Sequence, residues 1–356
     1  MNSAVHIPPT SGTAGAPMRR GEHCVLAILV SAVCAFAAGC ASTSSKPSTA
    51  VVWPPPPNPA RIAFERIIRG PADLGVKQSI FKRFGHWLTG NAQGSAGLVR
   101  PCGLALDESD NLCFTDTATR SVGFFDTQKV RWLRWEQAGK LSFKTPVSVA
   151  KAGGLLYVAD SGLGEVIAFD LDGKLQFRIH EPLVRPVSVL AAAGQLWVAD
   201  TEKHAVFVFN QQGKFLRQFG HRGTGPGEFN FPTHLAADTQ GRIYVTDSLN
   251  CRVQIFDAEG GYLRQIGSIG DSPGHFSRPK GVAVSPQGHI HVADALFDNI
   301  QLFSPEGRLL LSVGDHGAGP GEFGQPLGLA IARDGRIFVA DYLNGRIQVL
   351  RYLSQE

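Results

Sequence analysis

From residue 100 onward the chain repeats one pattern of apolar and polar positions. Each unit opens on a proline and a short β-rich run: Pro101-Cys-Gly-Leu-Ala-Leu, Pro146-Val-Ser-Val-Ala, Pro186-Val-Ser-Val-Leu, Pro232-Thr-His-Leu-Ala-Ala, Pro279-Lys-Gly-Val-Ala-Val and Pro326-Leu-Gly-Leu-Ala-Ile. A Gly, Asn or Asp turn follows, and then a second run that ends in Asp116, Asp160, Asp200, Asp247, Asp294 or Asp341. These second runs, such as Leu-Tyr-Val-Ala before Asp160 and Leu-Trp-Val-Ala before Asp200, are short and β-rich with apolar positions recurring along them. A short loop leads to a third run, as in Arg252-Val-Gln-Ile-Phe256 and Arg346-Ile-Gln-Val-Leu350. A fourth ends in Gly, as in Phe215-Leu-Arg-Gln-Phe-Gly220 and Leu309-Leu-Leu-Ser-Val-Gly314.

Four short strands per period of about 40–47 residues describe one propeller blade. A single blade cannot bury both faces of its sheet, so six of them must stack face to face and close into a ring. The pattern therefore predicts an all-β six-bladed β-propeller of four-stranded antiparallel blades. The sixth repeat stops near Tyr352-Leu353 without a fourth strand, while Arg61-Ile-Ala-Phe-Glu-Arg-Ile-Ile68 is a strand candidate without a partner. Donating 61–68 to the last blade completes it, so the propeller is expected to occupy residues 61–356. Residues 69–99 form the irregular part. Val76, Ile80, Phe84 and Leu88 fall at helical spacing there, so a packed connector or a short amphipathic helix is expected, with a lid over the channel as the other use of the segment.

The chain start reads as targeting rather than fold. Arg19-Arg20 precede an apolar, small-residue stretch from Cys24 to Ala38, too short for the roughly 20 residues that span a bilayer as a helix. Either Met1 or Met18, which directly precedes the arginines, is the start. The stretch ends Ala37-Ala38-Gly39-Cys40, which resembles a bacterial lipobox; residues 1–39 would then be a lipoprotein signal peptide and Cys40 the lipidated first residue. An ordinary cleavable signal is the other reading. Ala41 resembles an outer-membrane sorting residue, so lipid anchoring to the cell envelope is expected. Residues 40–60 are Ser/Thr-rich and then proline-rich, the composition of a flexible tether. Of the remaining cysteines, Cys102, Cys113 and Cys251 cannot all pair, and they suit small buried apolar positions. The net charge of +4 over 356 residues argues against a dedicated nucleic-acid binder.

The repeat is similar to NHL repeats in Pro-x-Gly-Val-Ala-Val, in Gly-x-Ile-x-Val-Ala-Asp, and in Asn250-Cys-Arg-Val-Gln-Ile and Asn344-Gly-Arg-Ile-Gln-Val. The linkers Gly223-Thr-Gly-Pro-Gly-Glu-Phe229 and Gly317-Ala-Gly-Pro-Gly-Glu-Phe323 fit the same family. With the lipobox and the tether, the whole resembles bacterial NHL-repeat lipoproteins. That resemblance implies a six-bladed propeller with mostly binding roles, and it does not fix a ligand.

The six repeat aspartates recur wherever the second strand meets its loop, which marks them as turn-fixing parts. His291 fills a slot that holds Cys113, Tyr157, Trp197, Tyr244 and Phe338 elsewhere, so packing explains it. His234 departs from its repeat, because the equivalent residues are Gly103, Ser148, Ser188, Gly281 and Gly328. It should project toward the channel mouth, either to contact a ligand or as a satisfied structural histidine. Nearby repeat starts supply Arg100, Arg185, Arg278 and Lys280. They would line a positive funnel suited to an anionic ligand, unless each arginine salt-bridges a neighbouring loop. A zinc lyase or a calcium-dependent lactonase of this shape needs several ligating side chains at inner-strand positions, where only His234 qualifies. No catalytic residue, metal or cofactor is therefore expected. The reading is a non-catalytic binding or assembly module that presents a propeller face to a protein, peptide or glycan. A hydrolase or lyase working around His234, of the peptidyl-hydroxyglycine lyase or lactonase kind, is the alternative.

Overall fold

The computed structural model describes residues 51–76 and 97–353. The predicted signal segment, the lipidation site Cys40, and Ile80, Phe84 and Leu88 of the expected helix lie outside the described residues. Within them, six antiparallel sheets follow one another along the chain. Blade 1 consists of Pro101–Leu106, Leu112–Asp116, Ser121–Asp126 and Arg131–Trp135. Blade 2 runs Pro146–Ala152, Leu155–Asp160, Glu165–Asp170 and Leu175–Ile179, and blade 3 runs Pro186–Ala192, Gln195–Asp200, Ala205–Asn210 and Phe215–Phe219. Blade 4 comprises Pro232–Ala237, Ile243–Asp247, Arg252–Phe256 and Tyr262–Ile266; blade 5 comprises Pro279–Val284, Ile290–Asp294, Asn299–Phe303 and Leu309–Val313. Blade 6 contributes Pro326–Ile331, Arg336–Asp341 and Arg346–Tyr352.

In blade 6, Ile62–Ile68 lies antiparallel to Arg346–Tyr352, with Ile62 opposite Tyr352 and Ile68 opposite Ile347. Outside it, Val52–Trp53 adds a fifth strand against Ile62 and Ala63. These two residues fall within the stretch that reads as tether. Trp53 packs with Phe64 and Tyr352 against the core shared by blades 5 and 6, and its large apolar surface is the reason the chain docks there. Helix is confined, among the described residues, to single 3₁₀ turns at Pro71–Leu74 and Ser248–Asn250.

Each second strand is buried on both faces, which explains why apolar residues fill most of it and why Thr115, Thr246 and His291 are buried where they interrupt the run. The core is divided among the interfaces between blades. Between blades 3 and 4, for example, Trp197, Val206 and Val208 pack against Phe229, Val245 and Phe256. The six first strands surround the axis in order, with Pro326–Ile331 beside Pro101–Leu106 to complete the circle. Small residues permit this approach. A Cβ on Gly103 would lie 2.6 Å from the Val147 oxygen, and one on Gly281 would fall on the Leu327 oxygen of blade 6. Where serine occupies this slot it ties neighbours together: Ser148 Oγ accepts from Val189 N–H and Ser188 Oγ from Leu235 N–H.

Candidate functional site

The repeat aspartates define one face of the ring, where the linkers between blades deliver the chain to each new first strand. Asp116 accepts from the Val99, Arg100 and Thr119 N–H groups. Asp200 accepts from Val184, Arg185, Glu202 and Lys203, and Asp294 from Ser277, Arg278, Leu296 and Phe297. Each carboxylate thereby fastens the incoming linker to the turn that follows its own strand. Blades 4 and 6 add a buried cation: Arg252 Nε donates to Asp247 at 2.9 Å, and Arg346 Nε to Asp341 at 2.6 Å. Fully committed in this way, the aspartates are architecture and not a free ring of carboxylates.

A central channel of about 220 Å³ runs between the first strands. Its wall is mostly backbone and aliphatic side chains, including Ala105, Ala150, Ala236, Ala283 and Ala330. Lys151 also lines it, but pairs with the buried Asp107 at 3.0 Å. His234 lines the end of the channel nearest the aspartate face. Its Nδ1 is sealed off without a hydrogen-bond partner, and burial together with the Lys280 charge pulls its pKa down to about 3, so the ring is neutral at pH 7. His291 is fully buried as a packing residue and also receives a partner, with Nε2 2.7 Å from the Tyr352 hydroxyl. Among the described residues, no three His, Cys, Asp or Glu side chains come together in a group that could hold a metal ion.

The four predicted cations do not form one funnel. Arg185 and Lys280 line a common pocket of about 240 Å³ between blades 3, 4 and 5. Burial, and after it the charge of the exposed Arg278 nearby, depresses the Lys280 pKa. Arg100 stands apart, its guanidinium 5.6 Å above the Tyr342 ring of blade 6. None of Arg100, Arg185, Arg278 or Lys280 forms an ion pair among the described residues, so loop salt bridges do not account for them.

The pocket also contains residues that the repeat pattern did not single out. Thr233 and Ser248 line it, and both hydroxyl oxygens are buried without a partner. Such an orphan costs roughly 1–3 kcal/mol. Val187, Phe231 and Leu249 supply an apolar portion of the wall. Leu249 has equivalents in Leu296 and Leu343, each two residues after its blade's aspartate, and the three are 53%, 58% and 55% exposed. This signal was present in the sequence as Asp-x-Leu in three successive repeats.

The comparisons with known proteins agree with this architecture. A family model described as a 6-bladed beta-propeller matches residues 175–241 and 234–297, and the NHL repeat model matches 323–350. No curated protein matches the chain. Among solved structures, virginiamycin B lyase from Staphylococcus aureus is 12% identical with a TM-score of 0.53, the alignment covering 72% of this chain and 96% of that one. A gluconolactonase from Xanthomonas campestris is 15% identical with a TM-score of 0.54, over 72% of this chain and 87% of that one. A Bacteroides thetaiotaomicron protein of unknown function is 16% identical with a TM-score of 0.56, over 72% and 70% of the respective chains. At these identities the likeness is one of fold alone.

Proposed function

From the premise that the chain is an NHL-repeat six-bladed β-propeller, we propose that it is a non-catalytic binding and assembly module of the bacterial cell envelope, anchored by lipid at Cys40. Its aspartate face engages a protein, peptide or glycan. The observation that carries this reading is the half-ring of exposed Leu249, Leu296 and Leu343 beside the unpaired cations Arg185, Arg278 and Lys280. Exposed apolar side chains rimmed by charge are the make-up of an interaction surface. Repetition at one position in three blades puts them on a single side of the ring. The channel supports the same reading, because the titratable side chains of its described lining are His234 and Lys151, and Lys151 is already committed to the buried Asp107 at 3.0 Å.

The test is partner recovery from native envelopes. Leu296→Asp with Leu343→Asp should lower recovery at least tenfold, while His234→Ala should leave it unchanged. Equal recovery by the double variant and the unaltered protein would overturn the proposal. A second reading, a lyase or lactonase working around His234, draws on the unpartnered, neutral imidazole at the channel and on the enzymes that share the fold. In that case His234→Ala abolishes turnover of a streptogramin or an aldonolactone.

A further inference from the structure

The pocket between blades 3, 4 and 5 combines features that point to a ligand. At about 240 Å³ it far exceeds the space one water needs. Two cations reach it from different blades, Arg185 before the first strand of blade 3 and Lys280 in the first strand of blade 5. Neither has an acidic partner among the described residues. Ser248, only 1% exposed, and Thr233 stand in the same wall with unsatisfied hydroxyls. Thr201 also lines the pocket, but its hydroxyl is already spent on the Pro232 oxygen at 2.8 Å. Two unpaired positive charges and two idle hydroxyl donors are what an oxyanion requires. Val187, Phe231 and Leu249 in the remaining wall match an apolar body attached to that oxyanion better than a free mineral anion.

We propose that this pocket binds an organic carboxylate: a carboxylate between Arg185 and Lys280, hydrogen-bonded by Ser248 and Thr233, with its apolar portion against Val187, Phe231 and Leu249. This deepens the reading of the aspartate face as a binding surface and rests on it. A free small molecule and the C-terminus of a bound peptide present this same carboxylate chemistry to the pocket.

Isothermal titration of the full chain with hexanoate, hexanamide, inorganic phosphate and a short peptide ending in leucine tests the proposal. Hexanoate should bind and hexanamide should not. Arg185→Gln and Lys280→Met should each weaken hexanoate about tenfold or more, and Ser248→Ala several-fold, in line with charge-assisted and neutral hydrogen bonds. Arg100→Gln, which lies over Tyr342 and outside the pocket, should leave the affinity unchanged. Arg185 is exposed, so its variant tests the site without touching the core. Tighter binding of the free peptide than of its C-terminal amide assigns the carboxylate to a chain end; tighter binding of hexanoate than of the peptide assigns it to a small molecule. Binding of hexanamide equal to hexanoate, phosphate binding tenfold tighter than hexanoate, or an equal loss in Arg100→Gln would each overturn the inference. Failure of hexanoate to bind, with partner recovery still dependent on Leu296 and Leu343, would sink this pocket while leaving the face intact.

Discussion

Replacing Asp341 by alanine should be among the most damaging single changes on the aspartate face, for a reason that separates it from the same change in blade 3. Asp341 is fully buried and accepts from Gly324 N–H at 2.8 Å, from Asn344 Nδ2, from Gln348 Nε2 at 3.1 Å and from Arg346 Nε at 2.6 Å. Arg346, 1% exposed, is otherwise held only by the carbonyls of Ala318, Gly319 and Glu322. Without the carboxylate, a guanidinium remains in the core with no counter-charge, which costs about 3–5 kcal/mol. Asp200 holds four loop N–H groups, two of them on the exposed Val184 and Arg185, and the residue equivalent to Arg346 is Ala205. Those groups can turn to water, so Asp200→Ala should cost about 1–2 kcal/mol. With an unfolding entropy near 2 cal/mol/K per residue, a domain of this size loses about 6 °C in Tm for Asp341→Ala and about 2–3 °C for Asp200→Ala. Calorimetry and urea titration of the two variants read the difference. Adding Arg346→Met to Asp341→Ala should restore part of the loss, because the stranded charge is gone. Equal costs for the two aspartates, or strict additivity in the double variant, would refute the reasoning.

Three further outcomes follow from the packing and titration of the ring. His234 and His291 have pKa values near 3 in the fold against about 6.5 in an open chain, so the unfolded chain binds more protons between those values and stability falls as pH drops below about 6.5. Each contributes on the order of 1.4 kcal/mol per pH unit, and His291→Phe, matching Phe338 of blade 6, should roughly halve the acid slope of Tm; an unchanged slope would contradict it. Gly281→Ala should cost about 2–3 kcal/mol because the Leu327 backbone cannot yield without moving blade 6, whereas Gly154→Ala, with nothing within 4 Å, should be neutral or slightly stabilising; denaturation midpoints decide. Ile62→Ala or Ile68→Ala, each fully buried against blade 6, should cost about 2–5 kcal/mol and speed hydrogen exchange of Arg346–Tyr352, and slow exchange there despite the change would show that the strand is not what holds that edge.

The blades were legible because each depends on local signals repeated six times: a proline, a Gly-, Asn- or Asp-bearing turn, an apolar run sealed on both faces, and an aspartate for the loop. The slot occupied by His234 could likewise be located by comparing repeats, and its place at the channel end follows from that comparison. Contacts between blades were less accessible. Arg100, Arg185 and Arg278 look equivalent in sequence, yet Arg100 is drawn onto Tyr342, a residue of the neighbouring blade that no local pattern connects to it. Thr233 and Ser248 carry no signal of their own, since their importance comes from lacking partners in a wall built by three blades. Trp53 looked like part of a proline-rich spacer because its binding place lies about 270 residues away in the linker and strands of blade 6.

The claim that one face of the ring does the binding is tested most directly by site-specific photo-crosslinking in intact envelopes. A photo-reactive residue at Leu296, on the aspartate face, should yield a discrete adduct that the same residue at Gln287, exposed in the turn on the opposite face, does not. An adduct from position 287 alone would contradict the account.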